Sequence, residues 1–372
     1  MRKDRTPEFF GRTREELVEW LRSEFPSEPA FRVSQLYDWL YSSRARSFEE
    51  MTNLPRKFQQ ELQSRYAIPS LRIERMSESA DGTKKFLFQL EDSRSIETVL
   101  IPSEMNIEKA PRRTLCVSTQ VGCPLDCQFC ATASLKLKRN LTSGEILLQI
   151  FDVERFLGTS ITNLVFMGMG EPMLNYENVV RSLRIITGTE LLGARRVTVS
   201  TSGIPEAIRK FAKEGLNVKL ALSLHATTNE LRSKLMPINR RYPLEEVLSA
   251  MEDYYKVTGR PVTYEYILFD GLNDGRQDVQ RLAKIARRVP SRVNIIPFHP
   301  IDFTHPTGFA SELHAPSKAT FDAFLSSLRN AGVTALVRTS SGQDIEAACG
   351  QLALAGQAVT QNPIPISLEL TP

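Results

Sequence analysis

The chain has 372 residues, 41% hydrophobic and 24% charged, with 47 Lys and Arg against 43 Asp and Glu and a formal net charge of +4. That length allows one large core with a small appended unit, and the charge permits nucleic-acid binding without demanding it. No apolar run approaches the roughly 20 residues of a membrane helix, and the charged start Met1-Arg2-Lys3-Asp4-Arg5 has no apolar segment behind it, so no membrane partner and a cytoplasmic location are expected.

In chain order, residues 1–68 are expected to form a helical unit. Thr13 with Glu16 three positions on forms a capping box for a helix through Trp20 and Phe25, and helical patterns follow at Phe31 to Leu40 and Pro55 to Tyr66. Residues 69–112 read as a β-strand extension: Leu71 to Glu74, Lys85 to Leu90 and Ser95 to Ile101 are short strand-like runs, divided by Asp81-Gly82 and by the polar stretch Glu91 to Arg94. From 113 to 342 the rhythm is strand, loop, helix, repeated. Runs at Leu115 to Val117, Asn163 to Phe166, Val197 to Ser200, Val218 to Leu224, Val262 to Leu268, Val293 to Pro297 and Thr334 to Val337 alternate with helical patterns, and Thr142 with Glu145 caps the first helix. The expected fold class is α/β, a partial (βα)6 barrel whose functional groups lie at the C-terminal ends of its strands. Residues 343–372 form a C-terminal segment with Cys349, expected on a short helix, and a loose tail beyond Gly356.

Five cysteines is an odd number, and Cys123, Cys127 and Cys130 are crowded into a C-x3-C-x2-C spacing that suits no disulfide framework, so a reducing compartment fits. Three close thiolates with no local fourth would hold an iron-sulfur cluster while leaving one iron open for chemistry, whereas structural zinc closes its tetrahedron. The alternative is a zinc site with Cys116 as fourth ligand; against it, Cys116 falls inside an expected strand and Phe129 stands where a ring would shield a cluster. After the next strand, Gly168-Met169-Gly170-Glu171-Pro172 supplies glycines that let backbone approach a ligand and a carboxylate able to accept from an ammonium. Ser200 ends the third strand and Ser223-Leu224-His225 the fourth, which puts short hydroxyls where they could bond a ribose or carboxylate.

The cysteine loop and the glycine motif, in this order, resemble the radical S-adenosylmethionine superfamily, in which the unique iron of a 4Fe-4S cluster chelates the cofactor. The resemblance implies one cluster per chain on Cys123, Cys127 and Cys130, and cofactor contacts at Gly170, Glu171, Ser200, Ser223, Leu224, His225 and His299. At His299 the pattern departs, since an Asn is usual there. Nearly the whole chain resembles the RNA adenine-C2 methyltransferases of dual specificity within that superfamily, through Ser47 to Pro55, Ile96-Glu97-Thr98-Val99, Leu115 to Cys123, Phe166 to Pro172, Met236-Pro237-Ile238-Asn239 and Asp344 to Leu352.

Carbon 2 of adenine is electron-poor and does not displace a methyl group from a sulfonium by polar attack, so a radical route is needed. The resemblance implies two S-adenosylmethionine molecules per turnover: one methylates Cys349, and a second yields the radical that activates the S-methyl group. It further implies an adduct joining RNA to Cys349, with Glu97 as base and Cys116 as resolving thiol through a transient disulfide. Implied partners are 23S ribosomal RNA, transfer RNA modified beside the anticodon, and an external one-electron donor such as flavodoxin; a monomer is expected. Lys136, Lys138, Arg139, Arg195 and Arg196 are candidate phosphate contacts, with the helical unit as a gripping module. Two alternatives stay open: a sibling family that methylates carbon 8 of the same base, and a non-catalytic metal-stabilised RNA-binding protein.

Overall fold

Beyond Arg113 the alternation of short apolar strands with amphipathic helices builds, in the computed structural model, a parallel sheet backed by helices; the structure describes residues 9–103, 112–189, 191–338 and 341–354. The N-terminal unit is helical, with α1 (Arg14–Glu24), α2 (Arg32–Tyr37) and α3 (Arg56–Arg65). Its capping box forms as expected: the Thr13 amide donates to the Glu16 carboxylate at 2.9 Å, and the Thr13 hydroxyl accepts from the Glu16 amide. The second helical pattern does not stay α-helical to Leu40. It widens into a π-helical turn over Asp38–Ser43, which Arg44 ends at φ 57°.

A meander follows, of β1 (Arg72–Glu78), β2 (Lys84–Gln89) and β3 (Ser95–Ser103). β1 runs past the expected end at Glu74 because its backbone ladder with β2 continues to Glu78, although its side chains alternate poorly. β4 (Arg112–Cys116) leads to the short β5 (Gln120–Val121) and β6 (Arg139–Asn140), which frame the cysteine loop, and then to α4 (Ser143–Leu157). The box at Thr142 also forms, with the Thr142 amide 2.8 Å from the Glu145 carboxylate. The chain continues through β7 (Asn163–Phe166), α5 (Tyr176–Gly188), β8 (Val197–Thr201), α6 (Pro205–Ala212) and β9 (Lys219–Ser223). Next come α7 (Asn229–Leu235) and α8 (Leu244–Thr258), then β10 (Val262–Leu268), α9 (Arg276–Ala286), β11 (Ser291–Pro297), α10 (Lys318–Asn330) and β12 (Ala335–Val337). α7 is short because Met236 precedes Pro237, which disfavours helical backbone at that residue.

One sheet runs in the order β1-β2-β3-β4-β7-β8-β9-β10-β11-β12, antiparallel as far as β4 and parallel beyond it. Among the described residues its last strand does not return to its first, so the fold is the expected partial (βα)6 barrel, prolonged at one edge by the meander. Strands such as β10 are buried over most of their length, which explains why the barrel segments read as continuous apolar runs.

The helical unit shares a core with the barrel. Phe10 meets Phe151 of α4 edge-on at 6.2 Å, the Ser143 hydroxyl donates to the Gly11 carbonyl at 2.6 Å, and Arg181 of α5 reaches Glu16 at 2.8 Å. A second apolar cluster, including Phe129, Ile267, Phe269 and Phe298, lies beneath the cysteine loop.

Cys349 is not on a helix, contrary to the sequence expectation. After a 3-10 turn over Gln343–Ile345, left-handed backbone at Glu346 (φ 53°), Gly350 (φ 85°) and Leu354 (φ 58°) folds the segment back on itself, and a right-handed helix cannot continue through such residues. The tail beyond Gly356 lies outside the described residues.

Candidate active site

A cavity of about 150 Å³ opens at the C-terminal ends of the parallel strands. It is lined by Cys123, Cys127, Phe129 and Cys130 of the cysteine loop, by Gly168, Gly170 and Glu171 after β7, by Ser200, Ser223, His225 and Glu265 on and beside β8, β9 and β10, and by Arg338, Cys349 and Gly350. Residues at or following all seven parallel strand ends meet here because a parallel sheet points all its C-termini to the same rim.

The cysteine loop is shaped by its backbone. Gly122 takes φ 77°, where a Cβ would run into the Lys136 carbonyl, and Asp126 and Lys136 also adopt left-handed conformations. The loop is tied down through Gln128 N–H to the Leu235 carbonyl at 2.9 Å and Ala131 N–H to the Gly350 carbonyl at 2.7 Å. All five cysteines are free thiols. Burial pushes the Cys123 thiol up to about 12 and raises Cys127 and Cys130, with the neighbouring thiols adding repulsion. Among the described residues, no three His, Cys, Asp or Glu side chains are gathered into a ready cage for a bare metal ion. The three thiols instead share a roomy cavity rimmed by an aromatic ring, and soft sulfur donors in that setting fit an iron-sulfur cluster. Cys116 lines a neighbouring cavity and not this one, so the four-thiol zinc string does not converge.

Gly170 sits at φ 100°, with its would-be Cβ 2.6 Å from the Gln120 side chain. The Glu171 carboxylate is buried and accepts from the Thr201 hydroxyl at 2.7 Å, the Ser202 amide at 2.8 Å and the Met173 amide at 3.0 Å. Burial raises its pKa against those bonds. Three donors leave acceptor capacity for one more on the cavity side. The Ser200 and Ser223 hydroxyls stand 3.4 Å apart on the adjoining wall.

His225 is held at φ 53°, edge-on to Phe129 at 4.8 Å, and burial drives its pKa down to about 3. Its Nδ1 accepts from the Ile267 amide at 3.1 Å, which leaves the ring proton on Nε2. Leu224 does not reach the cavity; its side chain belongs to the main core and its carbonyl accepts from Arg232 Nε at 3.2 Å. Arg232 is fully buried and also bonds the Ser202 and Ser223 carbonyls at 2.5 and 3.1 Å, so one guanidinium knits two strand ends behind the site.

A second, smaller cavity of about 40 Å³ adjoins the first. Cys116 and His299 line it, and Cys349, Met167, Ile296, Gly350 and Arg338 belong to both. Cys349 therefore stands on the partition between the cluster loop and Cys116. The Cys116 thiol is pushed up to about 12 by burial and by Cys349, against the pull of Arg338. His299, expected at the cofactor, lies in the second cavity with its pKa lowered by burial.

Glu97, on β3, shares a strand face with Val99 and Ile101, which line the second cavity, but is itself fully buried and lines neither. One of its oxygens accepts from the Ala353 and Leu354 amides at 2.9 and 3.1 Å; the other, Oε1, has no hydrogen-bond donor and faces Lys85 Nζ at 3.4 Å.

Sequence reading missed Arg338, Glu265 and Lys85. Arg338 was within reach, since it directly follows β12 at the functional rim. Glu265 sits inside a strand and accepts from Asn294 Nδ2 at 2.9 Å, and only the sheet register brings those two together. Of the basic candidates, Lys136 pairs with Asp126 at 2.8 Å, while Arg139 is occupied by Asp92 and Glu145. Arg195 and Arg196 precede β8 and lie at the N-terminal rim, the end away from the cavity.

The chain matches a family model described as "Radical SAM superfamily" over residues 117–284 and one described as "Ribosomal RNA large subunit methyltransferase N-terminal domain" over residues 8–68. It is 44% identical to the "Dual-specificity RNA methyltransferase RlmN" of Pelobacter propionicus, over 90% of this chain and 92% of that one. With the "Probable dual-specificity RNA methyltransferase RlmN" of Christiangramia forsetii it shares 42% identity over 94% and 97% of the two chains. The crystal structure of a radical SAM methyltransferase from Sphaerobacter thermophilus superposes with a TM-score of 0.80 at 42% identity, over 91% of this chain and 97% of that one.

Proposed function

The chain belongs to the family of dual-specificity RNA methyltransferases RlmN, radical S-adenosylmethionine enzymes, and from that premise we propose that it methylates carbon 2 of an adenosine in 23S ribosomal RNA and in transfer RNA beside the anticodon. The observation that carries this reading is the place of Cys349 on the wall shared by two cavities, one with the three cluster thiols and the other with Cys116. A carrier thiol must meet the methyl donor on one side and its resolving partner on the other.

Cys123, Cys127 and Cys130 would hold a 4Fe-4S cluster, which when bound supplies the electron that cleaves S-adenosylmethionine. Gly168 and Gly170 line the cavity with backbone alone, and Glu171 has capacity to accept from the cofactor's ammonium. Ser200, Ser223 and the Nε2–H of His225 offer hydrogen bonds to its polar groups. Cys349 would take up a methyl group as a thiolate; once that group has given up a hydrogen atom its carbon would join the base, and loss of one electron to the oxidised cluster would leave a closed-shell RNA adduct bound through Cys349 sulfur. Glu97 would then accept the ring proton; attack of the Cys116 thiolate on Cys349 sulfur would break the carbon–sulfur bond and form a disulfide, and the released methylene carbon would take a proton back to become the methyl group of the freed RNA.

The test is digestion and mass spectrometry of RNA treated with anaerobically reconstituted enzyme. A methyl group on carbon 2 is expected. A methyl group on carbon 8 would move the chain to the sibling chemistry, and full activity of iron-free protein would end the proposal.

A further inference from the structure

Lys85 is a buried cation with no part in the chemistry described so far. It lies on β2, opposite Val99 and diagonal to Glu97 in the β2–β3 ladder, and only 6% of it is exposed. Its ammonium does two things at once: it pairs with Glu97 Oε1 at 3.4 Å and donates to the Glu346 carbonyl at 3.1 Å, three residues before Cys349. Glu97 in turn grips the far side of the same segment through the Ala353 and Leu354 amides. The front of the segment is fastened to the β1–β2 turn, with Gly342 N–H on Asp81 at 3.0 Å and Asp344 accepting from the Ser79 hydroxyl at 2.5 Å. Carboxylate, ammonium and the Cys349 turn therefore form one closed circuit.

We infer that Lys85 is a positioning residue for RNA release: by spanning Glu97 and the Cys349-bearing segment, it aligns the carboxylate only while that segment is seated. This rests on the reading of Glu97 as the base. Oε1 is the carboxylate oxygen left without a hydrogen-bond donor, and so the one with lone pairs to take a proton. Its direction is set by the two amides on the other oxygen and by the ammonium beside it. If the segment lifts, three of these restraints leave together: two amides from Glu97 and one carbonyl from Lys85. The carboxylate is then free to rotate, and a base misplaced by an ångström loses much of its effect. Methyl uptake by Cys349 precedes this step and needs no base at Glu97.

The experiment uses full-length, cluster-loaded enzyme and an RNA transcript that the wild type methylates. Lys85→Gln and Lys85→Arg are compared for methyl loading of Cys349 by intact mass, for protein–RNA adduct on denaturing gels, and for released methylated RNA. Lys85→Gln is expected to load Cys349 within about twofold of wild type yet to release RNA about tenfold more slowly, with adduct accumulating, and Lys85→Arg to recover release to within about threefold. Release by Lys85→Gln at the wild-type rate overturns the inference. So does a parallel fall in loading and release, or an Arg variant as slow as the Gln variant. Glu97→Gln separates the two levels: if it accumulates adduct and Lys85→Gln does not, only the role of Lys85 fails; if Glu97→Gln releases RNA normally, the base assignment fails first.

Discussion

At the scale of single residues, the roles proposed for the two thiols outside the cluster loop are separable. Cys116→Ala is expected to methylate Cys349 normally and then accumulate protein-linked RNA, because the adduct has lost the thiol that opens it. Cys349→Ala should retain its iron and transfer no methyl group to RNA, which metal analysis and a methyl-transfer assay can check together. Gly170 is the other residue whose replacement has one clear outcome. At φ 100° an alanine meets both the left-handed penalty and the Gln120 side chain, so Gly170→Ala should destabilise the fold by about 2 kcal/mol and weaken S-adenosylmethionine binding, read by thermal melting and equilibrium dialysis. His225 shows why a lone histidine is hard to interpret from sequence. Its deep burial and the Ile267 amide on Nδ1 make it a neutral donor, and neither fact is visible in Ser-Leu-His-Ala.

At the scale of elements, Arg139 on β6 is a brace between three pieces of chain. It bonds Asp92 in the β2–β3 turn at 2.6 Å and the Glu145 carboxylate at the start of α4 at 2.8 Å. The Arg139 guanidinium holds the Asp92 carboxyl down at about 2, below its ordinary 3.8. A lowered carboxylate pKa stabilises the fold above the unfolded value and loses that effect as pH falls through the folded one. With a third of the Asp92 side chain exposed, screening reduces the contribution to about 1 kcal/mol. Asp92→Asn should therefore lower the unfolding free energy, read from denaturant titrations, by that amount at pH 7, with the difference from wild type closing as pH falls from 4 to 2. Elements of this kind divide what the sequence discloses from what it withholds. Both capping boxes, the βα alternation and the cysteine loop were legible because each is a local pattern with a fixed spacing. The turns around Cys349 were not, since left-handed Glu346 and Leu354 carry no signal of their own and are held by distant Lys85 and Glu97.

At the scale of the whole molecule, strand polarity decides which basic groups can matter. Arg195 and Arg196 enter β8 from the rim away from the cavity, so reversing both charges to Glu should leave RNA methylation within about twofold of wild type, as initial rates at low salt would show. A larger loss would mean that RNA wraps to the far rim.

The seam between the helical unit and α4 has a mechanical implication. A methyl group on Gly11 would lie 2.8 Å from the Gly144 Cα and from the Ser143 hydroxyl oxygen, so the two backbones touch with nothing between them. Such a joint has no slack for rolling or sliding. The helices and barrel therefore present a single anvil to an incoming nucleic acid.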